Sequence, residues 1–218
     1  MASHKGLNLI LIAVLTVTAV IFGFQIKKTI GITTRPKTIP LISNDLYFLA
    51  VTSDDPVYGN PGATHLIVEY VDFNCEKCLE LHQKISALVD KHPDKLQLIW
   101  KDLPKTNLFS SRNIEEHKAA YCAKLQKKFW PFANQIIEAR LKKEKPNLSE
   151  LAGQNKLNLP AFEACLLAES TAEHLKNSIA VAQAEKIVST PAIFVNYKRI
   201  NLLEDIQIDE LLQEVIKE

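Results

Sequence analysis

Two cysteines, Cys75 and Cys78, are separated by two residues and lie between a short apolar run and a helical pattern. Residues His65–Glu69 are predicted to form a strand, because Leu66–Val68 is an apolar, β-branched run short enough for a buried strand. After Cys78, apolar residues recur at the spacing of one helix face. The first cysteine therefore begins a helix, where unpaired backbone N–H groups and the positive end of the helix dipole favour a thiolate. This placement predicts a redox dithiol, with Cys75 as the nucleophile and Cys78 as the resolving thiol.

A pair of cysteines at this spacing is also compatible with half of a zinc site or with a local structural disulfide. His82, four residues after Cys78, is a conceivable third zinc ligand. A zinc site needs a second pair of ligands at suitable spacing, whereas Cys122 and Cys165 are single and far apart. The strand and helix on either side of the pair favour redox chemistry, so we expect no metal and no cofactor.

Three charged residues near the cysteines are candidates for tuning this dithiol. Lys77 adds positive charge that lowers the pKa of Cys75, whereas Glu76 opposes it. Glu69 lies six residues before Cys75. If it is buried, its carboxyl has a raised pKa and carries protons during exchange; the alternative is a glutamate at a strand edge or on the surface. The other histidines, His117 among them, are expected to be solvated or packed.

The N-terminal segment Leu7–Phe24 is almost wholly apolar, and a helix of this length spans about 27 Å, close to the hydrocarbon thickness of a bilayer. A cleaved signal peptide is the alternative, but its apolar region would be shorter and would end at small residues, which residues 17–19 match poorly. We therefore expect an uncleaved transmembrane anchor over 1–26, a linker over 27–44 and a globular domain over 45–218.

The pattern of the globular part predicts an α/β domain. Strands are expected over Leu46–Val51, Leu96–Trp100 and Ala192–Asn196. One helix is expected over Arg112–Lys128 and, after a break at Pro131, a second over Phe132–Lys143. Short helices are expected from about Leu148 and from Pro160, a longer one from the capping box of Ser170 and Glu173 to Lys186, and a last one over Asp205–Lys217. The strand, helix and strand around the cysteines predict a parallel crossover. A formal net charge of +1 without a long basic run gives no indication of nucleic-acid binding.

Several segments resemble the DsbA-like members of the thioredoxin superfamily. They are the lead-in loop Asp55–Pro61, Glu69 before the cysteines, the helical segments Tyr121–Phe132 and Phe162–Cys165, and Thr190–Asn196, which resembles the segment that carries a cis-proline. Two positions depart from DsbA. The dipeptide between the cysteines is Glu76-Lys77 in place of Pro-His, and Thr190 replaces a valine.

The resemblance implies a thioredoxin fold with an α-helical domain inserted at about 108–187. It implies that Thr190 and Pro191 line the substrate groove, with a cis bond between them, and that Glu69 is a buried acid beneath the active site. Cys122 and Cys165 flank the inserted helices. Outside the cytosol their even count favours a structural disulfide, and two unrelated buried cysteines are the alternative.

The expected function is that of an enzyme, a membrane-anchored thiol:disulfide oxidoreductase that introduces disulfides into reduced exported proteins. A membrane partner of the DsbB kind would reoxidise it. The expected location is the bacterial inner membrane, with a single span and a periplasmic catalytic domain, or the periplasm itself if the N-terminal segment is cleaved. The alternatives are a disulfide reductase or isomerase, which Thr190 favours, and a non-catalytic thioredoxin-like chaperone that binds extended polypeptide.

Overall fold

The computed structural model describes residues 14–18, 42–105, 114–201 and 208–217. The chain divides into two units, Met1–Ile39 and Pro40–Glu218. In the first unit, residues 14–18 are helical, and the Thr18 hydroxyl donates to the carbonyl of Val14 at 3.0 Å. Across the described ranges no helix is both long and apolar enough to cross a membrane. The expected span Leu7–Phe24 lies outside those ranges, apart from residues 14–18.

The described part of the second unit contains six strands and seven helices. In chain order they are β1 (Ile42–Leu46), β2 (Val57–Gly59), β3 (His65–Val71), α1 (Glu76–Lys91), β4 (Leu96–Asp102), α2 (Glu115–Leu125), α3 (Phe129–Leu141), α4 (Leu148–Gln154), α5 (Leu159–Leu167), α6 (Glu169–Ala184), β5 (Ala192–Val195), β6 (Lys198–Ile200) and α7 (Ile208–Lys217).

The strands form one sheet in the order β1-β6-β5-β3-β4-β2. β3 and β4 are parallel and are connected by α1, which confirms the predicted parallel pair around the cysteines, and the other strand pairs are antiparallel. β3 is buried along almost its whole length, as expected for an apolar strand covered on both faces. Its residue Glu69 pairs in register with Trp100 on β4 and with Ile193 on β5.

Alternation along β3 directs its side chains into two cores. Ile67 packs with Ile85 of α1 and Leu212 of α7 on one face of the sheet. Val68 packs with Ala182 of α6 on the other face. Because residues two apart on a strand share a face, Glu69 lies on the side of Ile67 and therefore beneath α1.

The helices between β4 and β5 form the predicted helical insertion. Phe129 and Phe132 of α3 are buried in a core that the helices share with the active-site helix, since Cys78 belongs to the same cluster. A disulfide between Cys122 and Cys165 joins α2 to α5, with 5.8 Å between their Cα atoms. The insertion is thus packed directly against the start of α1.

The strand expected over Leu46–Val51 is wrong. β1 ends at Leu46, and residues 47–50 have no regular structure. Backbone pairing with β6 sets the position of β1, with Ile42 opposite Ile200. A partner some 150 residues away in the chain is not visible in the local pattern of hydrophobicity.

Two helix signals are also wrong. The capping box of Ser170 and Glu173 is not formed, because α6 begins at Glu169 after Ala168 and has no side-chain cap. Pro131 does not mark a break but lies in the first turn of α3. The N–H that proline lacks has no intrahelical partner in a first turn, so the ring is tolerated there.

Candidate active site

A disulfide between Cys75 and Cys78 lies at the start of α1, with an S–S distance of 2.04 Å. Cys75 is the N-cap residue, and its Sγ accepts a hydrogen bond from the Cys78 N–H at 3.2 Å. Cys75 is half-buried, whereas Cys78 is 1% exposed. An incoming sulfur can therefore reach Cys75 but not Cys78. The N–H group and the helix start stabilise negative charge on the accessible sulfur.

The two residues between the cysteines, Glu76 and Lys77, are both exposed. Glu76 forms an ion pair with Lys143, which follows α3 in the helical insertion. This pair offsets part of the negative charge that Glu76 places beside Cys75, although exposure to solvent weakens the effect. Lys143 was not singled out in the sequence, because nothing local relates it to the cysteines.

Glu69 is buried on the central strand, with 2% of its surface exposed. The expected alternative of an edge or surface glutamate is therefore wrong. Its Oε1 lies 2.6 Å from Nδ1 of His82 on α1. His82 is itself 2% exposed and stacks on Trp130 with 5.7 Å between ring centroids and 5° between the planes.

Burial lowers the pKa of His82. The charge of Glu69, its hydrogen bond to the ring and a hydrogen bond between the ring and Asn134 raise the pKa, and the net shift is upward. Among the described residues, no group of three or more His, Cys, Asp and Glu side chains is arranged to hold a metal ion. His82, considered from the sequence as a third zinc ligand, has Glu69 as its hydrogen-bonding partner in the structure.

A second buried histidine supports the loop that precedes the cysteines. His117 of α2 is fully buried, and its Nδ1 lies 2.6 Å from Oδ1 of Asp102 at the end of β4. The Trp100 Nε1–H donates to the same oxygen at 2.9 Å. Nε2 of His117 lies 3.6 Å from Oδ1 of Asp72 and 3.3 Å from the Phe73 backbone nitrogen. His117 therefore connects α2, the end of β4 and the active-site loop.

Both His117 and Asp72 are shifted toward their charged forms. Burial lowers the pKa of His117, but the charges and hydrogen bonds of Asp102 and Asp72 raise it to about 9. Burial raises the pKa of Asp72, while hydrogen bonds from His117 and from the Asn74 and Lys105 N–H groups lower it, and the net direction is downward. The protonated ring directs Nε2–H at Asp72; the Phe73 N–H can donate to Nε2 only when the ring is neutral.

The peptide bond between Thr190 and Pro191 is cis, and both residues are half-buried. β5 begins at the next residue, Ala192, which pairs with Tyr70 near the end of β3. Pro191, just before β5, and the Cys75 loop, just after β3, therefore lie at the same end of these two paired strands. Thr190 also lines a surface cavity with Leu103, Ile179 and Ile187.

The structure brings one set of the predicted site residues together and separates another. Glu69, Cys75 and Cys78 lie along the junction of β3 and α1, and Thr190 and Pro191 lie at the adjoining edge of the sheet. Cys122 and Cys165 lie within the helical insertion, where Cys122 is fully buried. The two disulfides thus differ in access. One presents a sulfur to solvent, and the other closes helices over a core.

A family model described as Thioredoxin matches residues 51–218. BdbD from Bacillus subtilis in its oxidised form has a TM-score of 0.65 at 22% identity, with 80% of this chain and all of that one covered. Wolbachia pipientis α-DsbA1 has a TM-score of 0.62 at 18% identity, with 78% of this chain and 94% of that one covered. These matches confirm the thioredoxin fold.

Among curated sequences, a putative protein-disulfide oxidoreductase of Rickettsia typhi is 26% identical over 153 residues, which are 67% of this chain and 56% of that protein. A Na⁺/H⁺ antiporter NhaA 1 of Mycolicibacterium gilvum is 25% identical over 147 residues, which are 66% of this chain and 24% of the antiporter. This chain therefore spans about half of the first relative and about a quarter of the second.

Proposed function

The chain belongs to the thioredoxin family, and we propose that it is a protein thiol:disulfide oxidoreductase that acts through Cys75 and Cys78. The observation that carries this proposal is the disulfide at the start of α1, with one sulfur accessible and the other buried. An asymmetric pair of this kind can accept an attacking sulfur at one position and release the other as a leaving group.

The proposed reaction has two steps. A substrate thiolate attacks Sγ of Cys75, the Cys75–Cys78 bond breaks, and Cys78 leaves as a thiolate that takes up a proton. A second substrate thiolate then attacks the substrate sulfur bound to Cys75 and releases Cys75 as a thiolate. The substrate loses two electrons and two protons and gains a disulfide, and the protein gains the two electrons.

We propose that the favoured direction is oxidation of the substrate. The helix start and the Cys78 N–H stabilise a thiolate on Cys75, Lys77 adds positive charge, and Lys143 offsets Glu76. Stabilising the thiolate stabilises the reduced protein, which makes its disulfide a stronger oxidant. Thr190 before Pro191 favours a reductase or isomerase instead, and the reduction potential of the couple discriminates between these activities.

We propose reduced exported proteins as substrates, bound in extended form beside Thr190 and Pro191. A second disulfide, Cys122–Cys165, is consistent with an oxidising compartment outside the cytoplasm. The apolar segment Leu7–Phe24 supports a membrane anchor, and a membrane protein of the DsbB kind is the proposed oxidant of the reduced couple.

The proposal is tested by trapping covalent complexes. Without Cys78, a mixed disulfide between Cys75 and a substrate is not resolved, so Cys78→Ala should accumulate adducts on non-reducing gels. Cys75→Ala lacks the accessible sulfur and should accumulate few. Equal trapping by both variants would contradict the assignment of the nucleophile. A wild-type protein inactive in both insulin reduction and oxidative refolding would favour the chaperone alternative.

A further inference from the structure

A group of buried charges lies beside the loop that carries Cys75. His117 of α2 is enclosed by two carboxylates, with Nδ1 2.6 Å from Asp102 and Nε2 3.6 Å from Asp72. His117 is 0% exposed and Asp72 is 2% exposed. Because so little water reaches these side chains, their charges are screened much less than charges on the surface. The two steps of the proposed reaction make no use of them.

Asp72 connects these charges with the nucleophile. Its backbone carbonyl accepts a hydrogen bond from the Cys75 N–H at 2.9 Å. Its carboxylate accepts from two further backbone N–H groups, each at 2.9 Å, and is thereby fixed against the turn that leads into α1. His117 contacts the same turn, since its Nε2 lies 3.3 Å from the Phe73 nitrogen. The charges of both side chains are therefore held at the turn that carries Cys75.

We propose that His117 supports the thiolate of Cys75: its positive charge offsets the negative charge of Asp72 and so strengthens the disulfide as an oxidant. His117 is a positioning residue in this role, because it acts through Asp72 rather than on the substrate. Reduction of the disulfide adds two electrons and one proton, and the proton goes to Cys78 while Cys75 remains a thiolate. The inference deepens the proposed function and rests on it.

The sign of the effect follows from the charges around the ring. Asp102 faces it from β4 and Asp72 from the active-site loop, so this group of three carries a net charge of −1 with a protonated ring and −2 with a neutral one. The two carboxylates hold the pKa of His117 at about 9 against the effect of burial, which keeps the ring charged at neutral pH. Glu116 has an ion pair of its own with α3, and burial lowers the pKa of His174 on α6, so neither alters this balance.

Burial distinguishes His117 from the charges next to the cysteines. Glu76 and Lys77 are both exposed and carry opposite charges, so their effects on Cys75 partly cancel and are screened by solvent and salt. The charge of His117 is shielded from solvent by the protein around it. Its effect on Cys75 should therefore persist at high salt concentration.

The test uses two substitutions that break the same contact but remove charges of opposite sign. His117→Gln removes the positive charge, and Asp72→Asn removes the negative one. Each is made in a Cys78→Ala background, where the second disulfide is intact and Cys75 is the thiol that titrates. The pKa of Cys75 is taken from the pH dependence of its alkylation by iodoacetamide, a neutral reagent. His92→Gln, at the other end of α1, is the matched control.

His117→Gln should raise the pKa of Cys75 by about one unit, the size expected for one charge at short range in a partly buried site. Asp72→Asn should lower it, because Asp102 remains to hold the proton on His117. His92→Gln should leave it unchanged. With both cysteines present, the equilibrium constant for oxidation of glutathione at neutral pH should fall by up to about tenfold in His117→Gln, since one pKa unit corresponds to a factor of ten.

A purely structural role would move both variants in the same direction, because both break one contact between α2 and the active-site loop. Shifts of the same sign would therefore overturn the inference, as would an unchanged pKa of Cys75 in either variant. Should His117→Gln not fold, Asp72→Asn decides by the sign of its shift. A pKa of Cys75 at or above the free value of about 8.5 in the Cys78→Ala protein alone would contradict the proposed direction of the reaction itself.

Discussion

Replacing His117 with glutamine should remove a pH-dependent contribution to the stability of the active-site loop and its surroundings. In the folded protein the ring is enclosed by Asp102 and Asp72, and it is 0% exposed. Its protonated form is stabilised by both carboxylates, whereas in the unfolded chain it titrates near the reference value of 6.5. Protonation is thus linked to folding.

The sign and size of the effect follow from the two pKa values. The folded pKa of about 9 lies above the unfolded one, so the stabilisation is fully present below pH 6.5. It is lost as the pH rises through 9. The gap between these values corresponds to about 3 kcal/mol, because one pKa unit is equivalent to about 1.4 kcal/mol.

The measurement is urea unfolding of the oxidised protein between pH 6 and pH 10, where Asp72 stays ionised and the cysteines, being disulfide-bonded, do not titrate. The difference in unfolding free energy between wild type and His117→Gln should shrink by about 3 kcal/mol over this range. His92→Gln, at the C-cap of α1, is the control for a general histidine effect. A difference that stays constant with pH would show that His117 is neutral in the folded protein and would refute the reasoning.

Three further outcomes are expected. Mild reduction followed by alkylation and peptide mapping should leave Cys122 and Cys165 unmodified, because Cys122 is fully buried; alkylation of both in freshly isolated, untreated protein would contradict the pairing. A reporter fused after Glu218 should be active only in a form that works outside the cytoplasm; activity of a cytoplasmic reporter alone would contradict the proposed location. Gly59→Ala should destabilise the fold by about 1–3 kcal/mol in urea unfolding, since Gly59 has a φ of 87° and an added Cβ would lie 2.5 Å from a Val89 methyl group; an unchanged midpoint would contradict this.

The local sequence was sufficient for the central unit of this fold. His65–Val71 forms the central strand around the apolar, partly β-branched run Leu66–Val68, and α1 follows because its apolar residues share one face. The position of Cys75 at the helix start is a consequence of chain order alone. The parallel strand–helix–strand unit and the redox pair could therefore be predicted before any tertiary contact was known, whereas the thioredoxin fold was implied by the resemblance to DsbA-like proteins.

These failures share a cause in contacts between separate elements, which the local sequence pattern does not show. β1 is positioned by β6, which is an antiparallel neighbour and not a local signal. The capping box of Ser170 and Glu173 is locally plausible, but α6 already starts at Glu169, directly after α5 ends at Leu167. In the first turn of α6, the Thr171 hydroxyl donates to the Cys165 carbonyl of α5 at 2.7 Å. Packing between two consecutive helices here overrides a motif that would suit an isolated helix.

The amino-acid sequence by itself determined which sulfur is accessible, since a helix start and the order of the two cysteines require no distant contact. Only the tertiary structure decided what surrounds them. The partnership of Glu69 with His82 depends on how α1 packs over β3, and that of His117 with Asp72 and Asp102 depends on how α2 packs against the ends of β3 and β4. Buried charges are stable only with a partner at hydrogen-bonding distance, and such distances are set by packing rather than by spacing along the chain.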